Sequence, residues 1–255
     1  MIQVQTIWNG RVRFSFIAFA AVCMAVFFTG CEHVHGRPGP GPEVVRPEEV
    51  VDFPTLYKEN CAACHGNDGK KGAAISLANP VYLAVAGEIH LHQAIANGVQ
   101  GKLMPPFAKS AGGMLTDQQI TVLAQGLLKQ WGSPNALAGQ TAPPYLATLP
   151  GNAEHGQQAY GTFCARCHGV SGEGTGDAQA PSQSHLGSIV DPTYLALISD
   201  QSLRSITIAG RPDEGMPDWR NDAAQPMTDQ QLTDILAWLA AKRITNPGQP
   251  YPSHP

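Results

Sequence analysis

Charge is scarce in this chain: 14% of its 255 residues are charged and the formal net charge is −4. That balance excludes a strongly basic nucleic-acid binder. The first thirty residues hold Arg11 and Arg13 and no acid, so without them the formal charge is −6. A partner steered by charge would be basic where it docks, or else indifferent to charge. Long hydrophobic runs are scarce too. The stretch Phe14 to Phe28 is almost wholly apolar, which is at the short limit for a helix that must supply about 17–25 residues to cross a bilayer. Cysteine is limited to six positions: Cys23 lies in that apolar run, the other five take the roles given below, and none is left for a structural disulfide. At 43% apolar residues, the chain is globular and long enough for two small domains.

Four of the cysteines stand in two short segments, Cys61-Ala62-Ala63-Cys64-His65 and Cys164-Ala165-Arg166-Cys167-His168. Cys-x-x-Cys-His is the spacing of a c-type haem attachment site. On a helix, positions i, i+3 and i+4 share a face, so two thiols can bond the porphyrin while the imidazole reaches iron. A redox dithiol requires no trailing His and belongs to a βαβ pattern. A structural zinc site takes its four ligands as two close pairs, whereas these pairs lie 103 residues apart. The reading is therefore two covalently bound haem c groups, held by Cys61 and Cys64 and by Cys164 and Cys167.

Ahead of these, residues 1–30 have the layout of a secretory signal peptide, and the small residues Thr29 and Gly30 precede Cys31. The segment Phe28-Thr29-Gly30-Cys31 resembles the lipobox of bacterial lipoproteins, with Phe28 where Leu is usual, and makes Cys31 the candidate lipidated residue. An uncleaved anchor helix and ordinary cleavage are the other readings. Residues 31–52, with Pro38, Pro40 and Pro42 alternating with glycine, read as an extended tether. The expected location is extracytoplasmic, on a membrane.

From Phe53 onward the chain is written twice. Asn79-Pro80-Val81-Tyr82-Leu83-Ala84 matches Asp191-Pro192-Thr193-Tyr194-Leu195-Ala196, and Thr116-Asp117-Gln118-Gln119 matches Thr228-Asp229-Gln230-Gln231, both displaced by 112. The haem motifs are displaced by 103, so the second copy carries nine extra residues between His168 and Pro192. Each Thr-Asp-Gln-Gln predicts a capping box opening a C-terminal helix, and a further helix is predicted from about Glu88 to Asn97, ended by Gly98. The domains read as 53–131 and 153–243, with a proline-rich linker at 132–152 and a tail at 244–255. The linker's composition leaves open whether it holds the domains or lets them swing.

The same displacement of 112 pairs Met104-Pro105-Pro106-Phe107 with Met216-Pro217-Asp218-Trp219. Core filling explains one methionine but not two in equivalent loops, so Met104 and Met216 are the candidate second axial ligands beside His65 and His168. Met114 aligns with Pro226 and Met227 with Leu115, so neither has a counterpart. His90, His92, His155 and His185 are read as surface or loop residues.

These residues resemble class I cytochrome c domains in tandem. The resemblance implies an all-α fold, with N- and C-terminal helices crossing and a methionine loop closing each haem crevice. No clear Gly-Pro follows His65, so the hydrogen bond orienting the imidazole has no assigned acceptor. His/Met ligation fills both axial positions and leaves iron no site for substrate. The implied role is single-electron transfer and not catalysis. The expected donor is a membrane quinol-oxidising complex or a dehydrogenase, and the acceptor a terminal oxidase or another carrier. Two alternatives stand beside it: a dihaem redox enzyme, peroxidase-like or thiosulfate-oxidising, and a fixed electron-transfer subunit of a larger complex.

Overall fold

The computed structural model describes residues 41, 45–99, 102–174, 186–220 and 225–244. By its contacts the chain divides into Met1–Arg46 and Pro47–Pro255. The signal-peptide, lipidation and anchor expectations, Cys31 included, lie outside the described residues, as does His185. Among the described residues no helix is long and apolar enough to cross a membrane. No strand forms among them either, only two isolated bridges, in line with the all-α expectation.

Helix starts in both copies are set by side chains that accept otherwise orphaned amides. Asp52 accepts from Thr55 N (2.9 Å) and opens α1, Phe53–Asn60. The first haem motif forms the single turn α2, Ala62–His65. Asn79 accepts from Val81 N (2.9 Å) and Tyr82 N (3.2 Å) and opens α3, Pro80–Asn97. Thr116 and Gln119 exchange both bonds of the expected capping box at the start of α4, Asp117–Trp131. The second copy repeats this with α5 (Ala153–Phe163) capped by Asn152, α6 (Ala165–His168), α7 (Pro192–Leu197) capped by Asp191, α8 (Asp200–Ala209) and α9 (Asp229–Ala240), the last with its own Thr228/Gln231 capping box.

The helix predicted from about Glu88 to Asn97 is present, and a shorter helical segment opened by Asn79 and Pro80 precedes it. What lies before Glu88 is a break at Gly87 (φ 63°, ψ 172°), a conformation closed to other residues. In the second copy the equivalent residue is Ser199, which ends the break by capping α8 through Ser202 N (3.0 Å). One kinked helix and two separate helices are thus the same solution written with different residues.

In each copy the first helix crosses the last, and a glycine lets them approach. A Cβ on Gly126 would lie 2.1 Å from the Phe53 ring, and one on Gly156 would lie 2.0 Å from Asp234 O and 2.9 Å from Trp238 Cβ. By register Phe53 corresponds to Gly156, and Gly126 to Trp238. The large and small partners of the crossing have exchanged helices between copies, so the volume at the crossing is kept. Around it Phe53, Tyr57 and Trp131 pack with centroids 5.1–5.9 Å apart, and Tyr160 lies 4.4 Å from Trp238.

The linker is tied to both copies. Arg204, 1% exposed, donates to Pro144 O (2.8 and 3.0 Å) and Tyr145 O (3.2 Å), and pairs with Asp229. Gln201 Nε2 also donates to Tyr145 O (2.9 Å). On the other side the Tyr145 ring stacks on His90 at 4.5 Å. A buried guanidinium satisfied by these acceptors resists displacement, which ties the linker at Pro144 and Tyr145.

Candidate haem centres

Each motif cysteine pair and its histidine are brought onto one turn by the same backbone bonds in both copies. Cys61 N closes α1 on Tyr57 O (2.8 Å), then Cys64 N (3.1 Å) and His65 N (3.0 Å) both donate to Cys61 O. In the second copy Cys164 N donates to Tyr160 O (2.9 Å), while Cys167 N (3.1 Å) and His168 N (3.0 Å) donate to Cys164 O. The turn is stopped by Gly66 and Gly169, at φ 83° and 79°, and each glycine carbonyl accepts a 2.7 Å bond from the tyrosine of the preceding helix, Tyr57 or Tyr160. Tyr160 stands 103 residues after Tyr57, the displacement of the haem motifs, and that pairing is the sequence signal for this anchor.

None of the four cysteines forms a disulfide. Burial pushes the Cys61 thiol up to about 11 and the Cys164 thiol up to about 12, so both stay protonated at neutral pH. His65 is buried, and its Nδ1 lies 2.8 Å from Ile75 O. A carbonyl can only accept, so Nδ1 carries the proton and Nε2 keeps its lone pair. Ile75 is the acceptor that no Gly-Pro signal had pointed to. Burial lowers the pKa of His65, against a smaller upward effect of that bond, and holds the ring neutral. Burial also lowers His168, whose Nδ1 is buried without a hydrogen-bond partner among the described residues. Two cysteines outside any disulfide on one turn with a neutral imidazole fit a covalently bound haem. The cysteines would hold it by thioether bonds and the histidines would supply an axial nitrogen.

The methionine loops are also built alike. Val99 N donates to Met104 O (3.0 Å), and at the equivalent place Arg211 N donates to Met216 O (2.9 Å). Behind each loop sits a helix-ending glycine, Gly98 (φ 64°) or Gly210 (φ 67°). A Cβ on Gly98 would be 2.6 Å from Met104 O and 2.5 Å from Pro105 C, and one on Gly210 would be 2.6 Å from Met216 O and 2.5 Å from Pro217 O. Both methionines are half-buried. Their rivals are placed differently: Met114 is 81% exposed, whereas Met227 is buried and its amide bonds Trp219 O (2.9 Å), as that of Leu115 bonds Phe107 O (2.8 Å). Met227 is core filler in a leucine's place.

The other histidines have local roles. His90 Nδ1 donates to Ala86 O (2.8 Å), His92 Nε2 lies 3.2 Å from Asp117, and His155 is exposed. The His92–Asp117 pair is equivalent by register to Arg204–Asp229.

Comparison with known families divides the chain along the repeat. Residues 153–242 match the Cytochrome c family model, and residues 48–125 match the model of Cytochrome C oxidase, cbb3-type, subunit III. The chain is a dihaem c-type cytochrome. Among curated proteins this cytochrome is similar to the Cbb3-type cytochrome c oxidase subunit FixP of Sinorhizobium medicae (strain WSM419), 27% identical over 69% of this chain and 56% of that protein. It is similar also to the CcoP subunits of Azospirillum sp. (strain B510), 29% identical over 52% of this chain and 45% of that protein, and of Rubrivivax gelatinosus, 30% identical over 50% and 36%. The cytochrome spans about half the length of the curated relatives it matches. Among solved structures, a Kuenenia stuttgartiensis reducing HAO-like protein complex aligns at 18% identity with a TM-score of 0.42, covering 81% of this chain and 100% of that one; nothing below rests on it.

Proposed function

We propose that this cytochrome is the dihaem electron-transfer subunit of a cbb3-type terminal oxidase, working outside the cytoplasm and held to the membrane by its N-terminal segment. The observation that carries the reading is the match of residues 48–125 to the cbb3 subunit III model, next to a second, complete haem motif. His65 and Met104 are the proposed axial ligands of the first haem, His168 and Met216 those of the second, in domains at 53–131 and 153–243. Anchoring is assigned to a lipid on Cys31 or to an uncleaved helix at 14–28.

Bound haem supplies a one-electron iron couple. The chain's part is to hold and tune it. Cys61, Cys64, Cys164 and Cys167 fix the groups covalently, so they cannot dissociate. The Ile75 carbonyl fixes the His65 tautomer and strengthens that ring as a donor. Met104 and Met216, backed by Gly98 and Gly210, supply thioethers, a ligand choice that raises the potential. With both axial positions filled, substrate has no place to bind and the centres pass electrons only.

The donor is expected to be a quinol-oxidising complex or a dehydrogenase in the same membrane, and the acceptor the oxidase's catalytic subunit. Purification of the full chain from its native membranes tests this. Co-purification of cbb3-type oxidase chains, with haem reduction preceding oxygen uptake, supports the reading. A cytochrome that purifies alone, with a high-spin haem and peroxide or thiosulfate turnover, would replace it with a dihaem enzyme.

A further inference from the structure

The two copies meet through reciprocal contacts. Asn79, the cap of α3 in the first copy, is buried, and its Nδ2 donates to Ala209 O (2.9 Å) and Gly210 O (3.2 Å) of the second. Gly210 is the residue on which the Met216-Pro217 backbone rests. In the opposite direction Lys102, two residues before Met104, donates through Nζ to Ala196 O (2.6 Å) in α7, and α7 is the second copy's equivalent of the start of α3. Each methionine loop region therefore touches the first part of the other copy's capped helix. Both methionine-loop regions lie at the interface between the copies.

The residues at the two equivalent caps differ as this geometry requires. Two carbonyls need a donor. Asn79 supplies one from its amide nitrogen while its oxygen accepts from Val81 N and Tyr82 N. Asp191, at the same place in the second copy, is exposed and accepts from Tyr194 N (2.9 Å). A carboxylate could cap the helix at position 79 but could not donate to Ala209 and Gly210.

We propose that Asn79 is a positioning residue for the second haem centre: from the first domain, it fixes the Gly210 corner that sets the Met216 loop. The two centres are then mechanically coupled, and the second depends on the first domain's being folded and docked. The haem side of this inference rests on the assignment of Met216 as a ligand. The loop side does not.

Asn79→Gly and Asn79→Asp both remove the donor at little cost to the helix start, the first without adding charge. Measured on the full haem-loaded chain, both are expected to speed amide exchange at 210–219 at least tenfold and leave 98–107 unchanged. Both should also shift the electron-sharing equilibrium between the haems about tenfold toward the first, equivalent to about 59 mV for one electron, and weaken the second haem's sulfur-to-iron absorption band. Asp191→Asn should change none of these. If exchange at 210–219 stays within twofold of wild type in both variants, the positioning role is wrong. If instead Met216→Ala leaves the spectrum unchanged, the ligand assignment is wrong, and the exchange result alone decides the role of Asn79.

Discussion

Replacing Gly98 by alanine is predicted to open the first haem centre while the rest of the chain stays folded. Two effects oppose the substitution. The backbone at Gly98 (φ 64°, ψ −164°) is a conformation nearly closed to residues with a Cβ, at a cost of about 1–3 kcal/mol. The new Cβ would also stand 2.5 Å from Pro105 C and 2.6 Å from Met104 O and Pro106 N. All three are backbone atoms that no rotamer change can move, so the methionine loop must retreat by something on the order of 1 Å to reach ordinary contact. Gly87 separates the two effects, since it has nearly the same conformation (φ 63°, ψ 172°) and nothing within 4 Å of an added Cβ. Gly87→Ala should lose only the conformational part, a fall of about 2–12 °C in melting temperature at roughly 2–4 °C per kcal/mol for a chain of this size. Its spectrum should be unchanged. Gly98→Ala should lose more stability and, unlike Gly87→Ala, lose the weak long-wavelength band of thioether-to-iron bonding from one haem. Thermal melts followed in the haem absorption, with spectra of the ferric protein, measure both. The reasoning is refuted if the two variants melt together and Gly98→Ala keeps the band from both haems.

Two further predictions concern packing. Gly126→Ala should destabilise by about 1–3 kcal/mol by driving Cβ into the Phe53 ring, and that loss should vanish in a Phe53→Ala background; a double-mutant cycle with additive losses would contradict it. Arg204→Ala should cost about 3 kcal/mol and free the 132–152 linker, so limited proteolysis should cut there before either domain; a linker as resistant as wild type would show that Arg204 does not hold it.

The parts of this architecture legible in the sequence are those written twice. Thr116/Gln119 and Thr228/Gln231 are capping boxes because the chemistry is local to four residues, and the displacement of 112 singles out Met104 and Met216 over Met114 and Met227 without any contact being known. The helix from about Glu88 to Asn97 was legible as well, whereas the segment from Pro80 that precedes the Gly87 break was not. What could not be read depends on which surfaces meet. The acceptor for His65 is an ordinary Ile75 carbonyl, and backbone groups carry no side-chain signature. Asn79 is a helix cap, yet its other half reaches 130 residues along the chain to Ala209. The exchange of Phe53 and Gly126 for Gly156 and Trp238 is visible in the register only once the helices are known to cross there.

The central claim, two His/Met haem centres in one electron carrier, is tested most directly by haem quantitation on the full chain together with the ferric absorption spectrum. The account predicts two covalently bound haems per chain, both low-spin, with thioether-to-iron intensity for both, half of it lost in Met104→Ala and half in Met216→Ala. One haem per chain, or a second haem that is high-spin and lacks that band, would contradict it.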